Sequence, residues 1–177
     1  MRDKKTKSIQ SYFLAVIGVG VLIALDQFTK WLAVLNLRNQ ASFIIWKGVF
    51  KLEYLENRGA AFGIMQNKQI FFAVGAVLII GVIAFMYGKM PHTSRFYLLR
   101  ICSVMLCAGA IGNLIDRVRQ NYVVDFLYFE LIDFPIFNVA DCYVVISCIL
   151  FAFSILFYYK EDELNCFKLK RGQEQKG

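Results

Sequence analysis

The sequence predicts a mainly α-helical, polytopic membrane protein with four transmembrane helices. A small extracytoplasmic β-sheet, and a short outer loop or helix between spans three and four, complete the expected fold. Three observations carry this. Of 177 residues, 58% are hydrophobic and only two are proline, more apolar side chain than a soluble domain of this size could hide. The mean hydropathy is +0.52. Four stretches of bilayer-spanning length are almost free of charge, and a run of roughly 20 apolar residues suffices to cross a membrane. No repeat, low-complexity tract or second domain interrupts residues 1–177, so one membrane-embedded domain is expected.

The first span is placed at about residues 12–35. It follows a basic leader (Arg2, Lys4, Lys5, Lys7), and Ser8 to Leu25 carries no charge. A secretory signal peptide is the rival reading of this end. The lack of a small-x-small cleavage site and the length of the apolar run argue against it. The second span, 69–88, is uncharged. The third, 96–115, contains only Arg100, expected to snorkel to the nearby interface. The fourth, 139–159, is uncharged from Cys142 to Tyr159. Four of the five cysteines lie in apolar segments, where cysteine is a small packing residue, so no disulfide framework is expected.

Four spans put both termini on one side. That side, with the Lys89–Arg100 connection and the C-terminal tail, holds twelve basic and five acidic residues. The other side holds eight of each, so the entire net charge of +7 lies on one face. The positive-inside rule assigns that face, and both termini, to the cytoplasm. The basic tails are then topology determinants near anionic lipid rather than a nucleic-acid surface. The first outer loop, about Asn36 to Lys68, contains Phe50-Lys51-Leu52-Glu53-Tyr54, whose alternation predicts a half-buried strand. A sheet on the outer leaflet, with Trp46 and Tyr54 at headgroup level, is expected; a plain connector is the alternative. The second outer loop, about Val118 to Phe137, is rich in aromatics and stopped by Pro135.

Polar side chains at membrane depth cost several kcal/mol unless paired or hydrated, and here they gather toward the outer side. Asp26 and Lys30 are four apart on one helix face and can pair, either as a helix lock or as part of a site. Asn113 and Arg117 share that spacing, and Arg117 could alternatively anchor to lipid phosphate. Asp116 is read as structural, paired with a neighbouring arginine. Asn57 and Gly59 sit just before span two, where glycine permits a close backbone approach. Asn138 is a good N-cap for span four, with Asp141 at N3. Asp125 and Asp141 have no basic residue within four positions, which makes an ion-pair role the least natural explanation for them.

Zinc peptidase chemistry needs several tightly placed ligands, yet the single histidine, His92, lies in the cytoplasmic loop. No Gly-x-Ser-x-Gly motif and no phosphate loop is present. Two carboxylates remain, and an aspartyl peptidase shares one proton between such a pair. Asp125 and Asp141 are 16 residues apart across a loop containing Pro135, so a chain reversal could bring them together. The helix N-terminus favours the anionic form of Asp141, by about 0.3–1 kcal/mol, leaving Asp125 to hold the proton.

Five blocks, Asp26-Gln27-Phe28-Thr29-Lys30, Asn57-Arg58-Gly59-Ala60-Ala61-Phe62-Gly63, Gly109-Ala110-Ile111-Gly112-Asn113-Leu114-Ile115-Asp116-Arg117, Val124-Asp125-Phe126 and Phe137-Asn138-Val139-Ala140-Asp141, occur in this order. With them the chain resembles the bacterial lipoprotein signal peptidases (signal peptidase II, prolipoprotein signal peptidase; aspartyl peptidase family A8) over nearly its whole length. The resemblance implies Asp125 and Asp141 as the catalytic dyad. It implies Asn57, Gly59, Asn113, Arg117 and Asn138 as residues lining the site, with Asp26 and Lys30 as the polar pair beside it. The implied substrates are diacylglyceryl-modified prolipoproteins, cut on the amino side of the lipidated cysteine. Also implied are membrane lipid as the setting, a bacterial inner-membrane location with the site toward the periplasmic leaflet, a monomer, and no metal or organic cofactor. One departure is Ala108 before Gly109, where the family usually has a second glycine; it bears on how closely helices approach. A small transporter or channel subunit is the main rival, and it would spread its acids through the membrane depth. A non-catalytic scaffold would leave the clustered amides and acids unexplained.

Overall fold

The computed structural model describes residues 2–59 and 69–167. The Ala60–Gly63 part of the second sequence block and the basic residues after Phe167 lie outside the described residues. Four long helices dominate: α1 (Arg2–Leu37), α2 (Gln69–Lys89), α3 (Tyr97–Gln120) and α4 (Val139–Phe153). Residues Ser154–Tyr158 prolong α4 as a π-helical turn, in which Tyr159 N reaches back to Ser154 O at 2.9 Å. Among the described residues four helices are long and apolar enough to cross a membrane: Ser8–Leu37, Gln69–Lys89, Ser94–Gln120 and Val139–Tyr158. The third helix runs past the expected end at 115, which carries Asp116 and Arg117 on a helical turn rather than in a loop.

Apolar side chains such as Phe13, Leu78 and Ile149 are exposed, while Asp26, Lys30, Asp116, Asn138, Ser147 and Ser154 are buried. That inversion is what lipid as solvent selects: backbone groups are satisfied within helices, and polar side chains turn inward. The helices approach closely where α3 carries glycine. A Cβ on Gly109 would lie 2.6 Å from the Ala140 carbonyl oxygen, and one on Gly112 would lie 2.6 Å from Asp26 Oδ2. Ala108 is fully buried, so its methyl group fits; the close approach to a partner backbone belongs to Gly109, and Gly112 makes room for the Asp26 carboxyl.

An antiparallel three-stranded sheet of order β1-β2-β3 is built from β1 (Phe43–Trp46), β2 (Phe50–Asn57) and β3 (Val123–Tyr128). The β1–β2 turn uses Gly48 at φ +72°, a left-handed conformation that glycine adopts freely. The predicted strand is β2. The second outer loop contributes β3, which the alternation rule did not reveal, because Val123, Val124, Asp125 and Phe126 are all buried. With both faces covered, a strand reads as a plain apolar run. Beneath the sheet Ala33, Leu37, Val124 and Phe126 form a core against which Tyr54 packs. Tyr54 thus lies half-buried on this core, whereas Trp46 is exposed. A second core of Met90, Phe96, Leu99 and Tyr159 closes the other end.

Arg100 corrects an expectation. It does not snorkel outward but is buried, donating to Ser11 Oγ at 2.8 Å and to the Met90 carbonyl at 2.6 Å. Its guanidinium lies 4.6 Å from the centre of the Tyr87 ring. The short connection between α2 and α3 folds back over the helix ends, and its carbonyls offer acceptors nearer than the interface.

Candidate active site

The candidate side chains are delivered by α1, the end of β2 and the residues after it, α3, β3 and the start of α4. Asp125 comes from β3, where Leu55 of β2 pairs with it and Asn57 pairs with Val123. A register irregularity between Leu52 and Leu55 precedes these pairs; such bulges re-aim side chains along a strand. Phe137 then pairs with Leu127, its amide donating to Leu127 O at 3.0 Å and its carbonyl accepting from Leu127 N at 2.8 Å. That short ladder sets Asn138 and the start of α4 beside Asp125. The chain reversal anticipated around Pro135 is therefore made, and strand pairing fixes its register.

Asn138 caps α4. Its side-chain oxygen accepts from Asp141 N at 3.0 Å, and its own amide donates to Asp141 Oδ2 at 3.1 Å. The result is a reciprocal capping box, of a kind whose cap residue contributes about 1 kcal/mol. The same side chain donates through Nδ2 to Asp125 Oδ1 at 2.6 Å and to Asn113 Oδ1 at 3.1 Å. One fully buried residue thus touches both candidate acids, Asp125 through its side-chain amide and Asp141 through its backbone N–H. Asn57 Nδ2 donates to Asp125 Oδ2 at 2.8 Å, while Gly59 N donates to Asn57 Oδ1 at 3.0 Å and fixes the direction of that amide. Asn113 Nδ2 donates to Asp141 Oδ1 at 2.8 Å.

Beneath this layer lies a cluster centred on Lys30. Its ammonium is 3.0 Å from Asp26 Oδ2 and 3.0 Å from Asp116 Oδ2, and it donates to Asn113 Oδ1 at 2.9 Å. Asp26 Oδ1 accepts from Ala140 N at 2.9 Å, tying α1 to the first turn of α4. Asp116 Oδ2 accepts from Val124 N at 3.2 Å, which ties α3 to the residue before Asp125. The partners of Asp116 are therefore Lys30, a strand amide and Gln27, not a neighbouring arginine. Gln27 was quoted in the first sequence block without a role. It donates to Asp26 Oδ2 at 3.2 Å, Gly112 O at 3.2 Å and Asp116 Oδ1 at 2.9 Å. Four apart in sequence, Asp26 and Lys30 could be paired on sight; the contacts to Asp116 and Gln27 cross between helices and leave no periodic signal.

Eight of the nine sequence candidates thus join one network. Arg117 is held more loosely, by a single 3.5 Å contact from Nη1 to Asn113 O. Asp125 is 1% exposed. Burial and then the negative charge of Asp141 push its pKa up from 3.8 to about 7, against the opposing pull of the Asn57 and Asn138 hydrogen bonds. Near neutral pH this carboxyl can keep a proton, so it can serve as an acid.

Residues 18–157 match the family described as signal peptidase (SPase) II. The lipoprotein signal peptidase of Caldanaerobacter subterraneus subsp. tengcongensis is 44% identical over 145 residues, covering 81% of this chain and 97% of that protein. That of Clostridium tetani is 38% identical over 152 residues, covering 84% and 93%. A bacterial membrane enzyme solved by the in meso method at 2.3 Å superposes with a TM-score of 0.74 at 28% identity, over 89% of this chain and 93% of that one. A second, at 1.9 Å, gives 0.70 at 28% identity, over 82% and 94%. The chain belongs to the signal peptidase II family, the membrane peptidases that remove signal peptides from prolipoproteins.

Proposed function

We propose that Asp125 and Asp141 act as one catalytic pair on diacylglyceryl-modified prolipoproteins, cutting on the amino side of the lipidated cysteine. The observation that supports this most is the Asn138 bridge, with its side chain 2.6 Å from Asp125 and its backbone amide 3.1 Å from Asp141. Asp141, at the N-terminal end of α4, is the carboxylate that takes a proton from water as the water oxygen bonds to the scissile carbonyl carbon. Asp125 gives its proton to the carbonyl oxygen. In the second half Asp141 passes its proton to the peptide nitrogen as the C–N bond breaks, and Asp125 regains one from the gem-diol. The signal peptide leaves with a new carboxyl group and the lipidated cysteine with a free amine. The acid and base forms are restored.

Asn57 and Asn113 hold the two carboxyl groups in orientation, Gly59 holds Asn57, and Asp26 and Lys30 hold the elements that carry them. Arg117 presents N–H donors to a substrate backbone carbonyl. The positive-inside asymmetry puts this end of the bundle at the outer leaflet of the bacterial inner membrane, where a lipid-bearing peptide would meet it as a single-chain enzyme. The test is cleavage by the purified protein of a diacylglyceryl-modified precursor and its unlipidated form. Asp125→Ala and Asp141→Ala should each abolish cutting. Retained cleavage by either variant removes the dyad, and equal cutting of both precursors removes the lipid requirement.

A further inference from the structure

Arg117 differs from Lys30, its cationic neighbour in the site. Lys30 has two carboxylates at 3.0 Å; among the described residues Arg117 forms no ion pair. Its Nε is buried without an acceptor, and Nη1 makes only the 3.5 Å contact to Asn113 O. What does support it is the ring of Phe72, whose centre is 5.1 Å from the guanidinium carbon. Phe72 is on the first turn of α2, half-buried, and no sequence motif pointed to it.

We propose that Phe72 is a positioning residue for the peptidase reaction, acting through Arg117. A carboxylate partner would occupy the guanidinium's N–H groups in a bidentate pair and cancel its charge. An aromatic face attracts the cation while leaving every N–H donor free. Arg117 is thereby held without a carboxylate partner among the described residues, with its Nη donors available to a carbonyl of the substrate backbone. The proposal rests on the substrate-holding role given to Arg117 above. Ordinary packing of α2 on α3 would require only a side chain of similar volume at this position. The positioning role requires the aromatic ring itself.

Phe72→Leu keeps the apolar bulk and removes the ring, and Phe72→Met is the companion variant, so that a folding defect peculiar to one does not carry the result. Both should lower kcat/KM on a diacylglyceryl-modified precursor by about 3- to 30-fold, the range of a partly to fully desolvated cation–ring contact, with Tm unchanged. Phe72→Tyr should restore the rate. In an Arg117→Gln background, which is itself impaired, Phe72→Leu should add less than twofold. Wild-type activity of Phe72→Leu, or a loss of the same size in both backgrounds, would overturn the role of Phe72 and leave that of Arg117 standing. Full activity of Arg117→Gln would instead remove the role of Arg117, and the proposal with it.

Discussion

Replacing Asp125 with asparagine should make the protein more stable at pH 8 and less stable at pH 3.5. In the native chain the Asp125 carboxyl is buried, and its pKa stands at about 7 instead of 3.8. Above pH 7 folding therefore forces a charge into a site that disfavours it. The gap between the two values corresponds to about 4 kcal/mol of stability that is present below pH 3.8 and lost as pH rises through 7. Asparagine carries no charge and escapes that loss. Its amide nitrogen, however, must face the Nδ2 donor of Asn57 or of Asn138, now 2.8 and 2.6 Å from the carboxylate oxygens. An opposed donor pair costs about 1–3 kcal/mol at every pH. The balance favours the variant by about 1–3 kcal/mol at pH 8 and the wild type below pH 3.8. Thermal unfolding in detergent, followed by far-ultraviolet circular dichroism, would read this as a Tm difference that changes sign with pH. A Tm difference constant from pH 3.5 to 8 would refute the argument, since Asp125 would then not be titrating near neutrality. The same proton predicts that wild-type kcat falls above about pH 7 as the acid form is lost.

Two other perturbations follow from the supporting layer. Lys30→Met should abolish cleavage and lower stability by about 3–5 kcal/mol in thermal unfolding, because it leaves Asp26 and Asp116 buried without their shared cation. Undiminished stability would mean that the ion cluster is not what holds α1 to α3. Gly109→Ala should impair both folding yield and cleavage, since its methyl carbon would sit 2.6 Å from a backbone oxygen at the start of α4. Gly81→Ala, with nothing within 4 Å of the added carbon, should leave cleavage within a factor of two; equal losses from both would show that helix distortion, not the close approach, is responsible.

The parts of this molecule that could be read from sequence are those governed by local rules. Span length and the absence of charge depend only on bilayer thickness, so the four helices were legible to within a few residues in the middle and less well at the ends. The first and third helices continue beyond their apolar runs because nothing at Lys7 or Ile115 stops a helix; Asn121, in the left-handed conformation, is the actual stop of α3. The Asn138–Asp141 cap was legible because N-cap and N3 are neighbours in sequence. Strand β3 was not, since its two covered faces erase alternation. Arg100 was misplaced because its acceptors, Ser11 and the Met90 carbonyl, belong to other segments of the chain. Phe72 and Gln27 act through contacts between helices, for which a single sequence carries no period or motif.

The position of Asn138 couples the fold to the proposed chemistry. As an N-cap it must present an oxygen to the amide of Asp141, and this leaves Nδ2 pointing the other way. That nitrogen is donated to Asp125 and to Asn113, and Asn113 in turn donates to Asp141. The direction of the amide is thus fixed at both ends. Aspartate would cap α4 equally well, but it would turn an acceptor toward Asp125 and place a third negative charge beside the pair. Serine would cap and reach only one partner. Asparagine accepts from the helix through Oδ1 and donates through Nδ2 to Asp125 and Asn113 at once, so the residue that starts α4 also orients the Asp125 carboxyl.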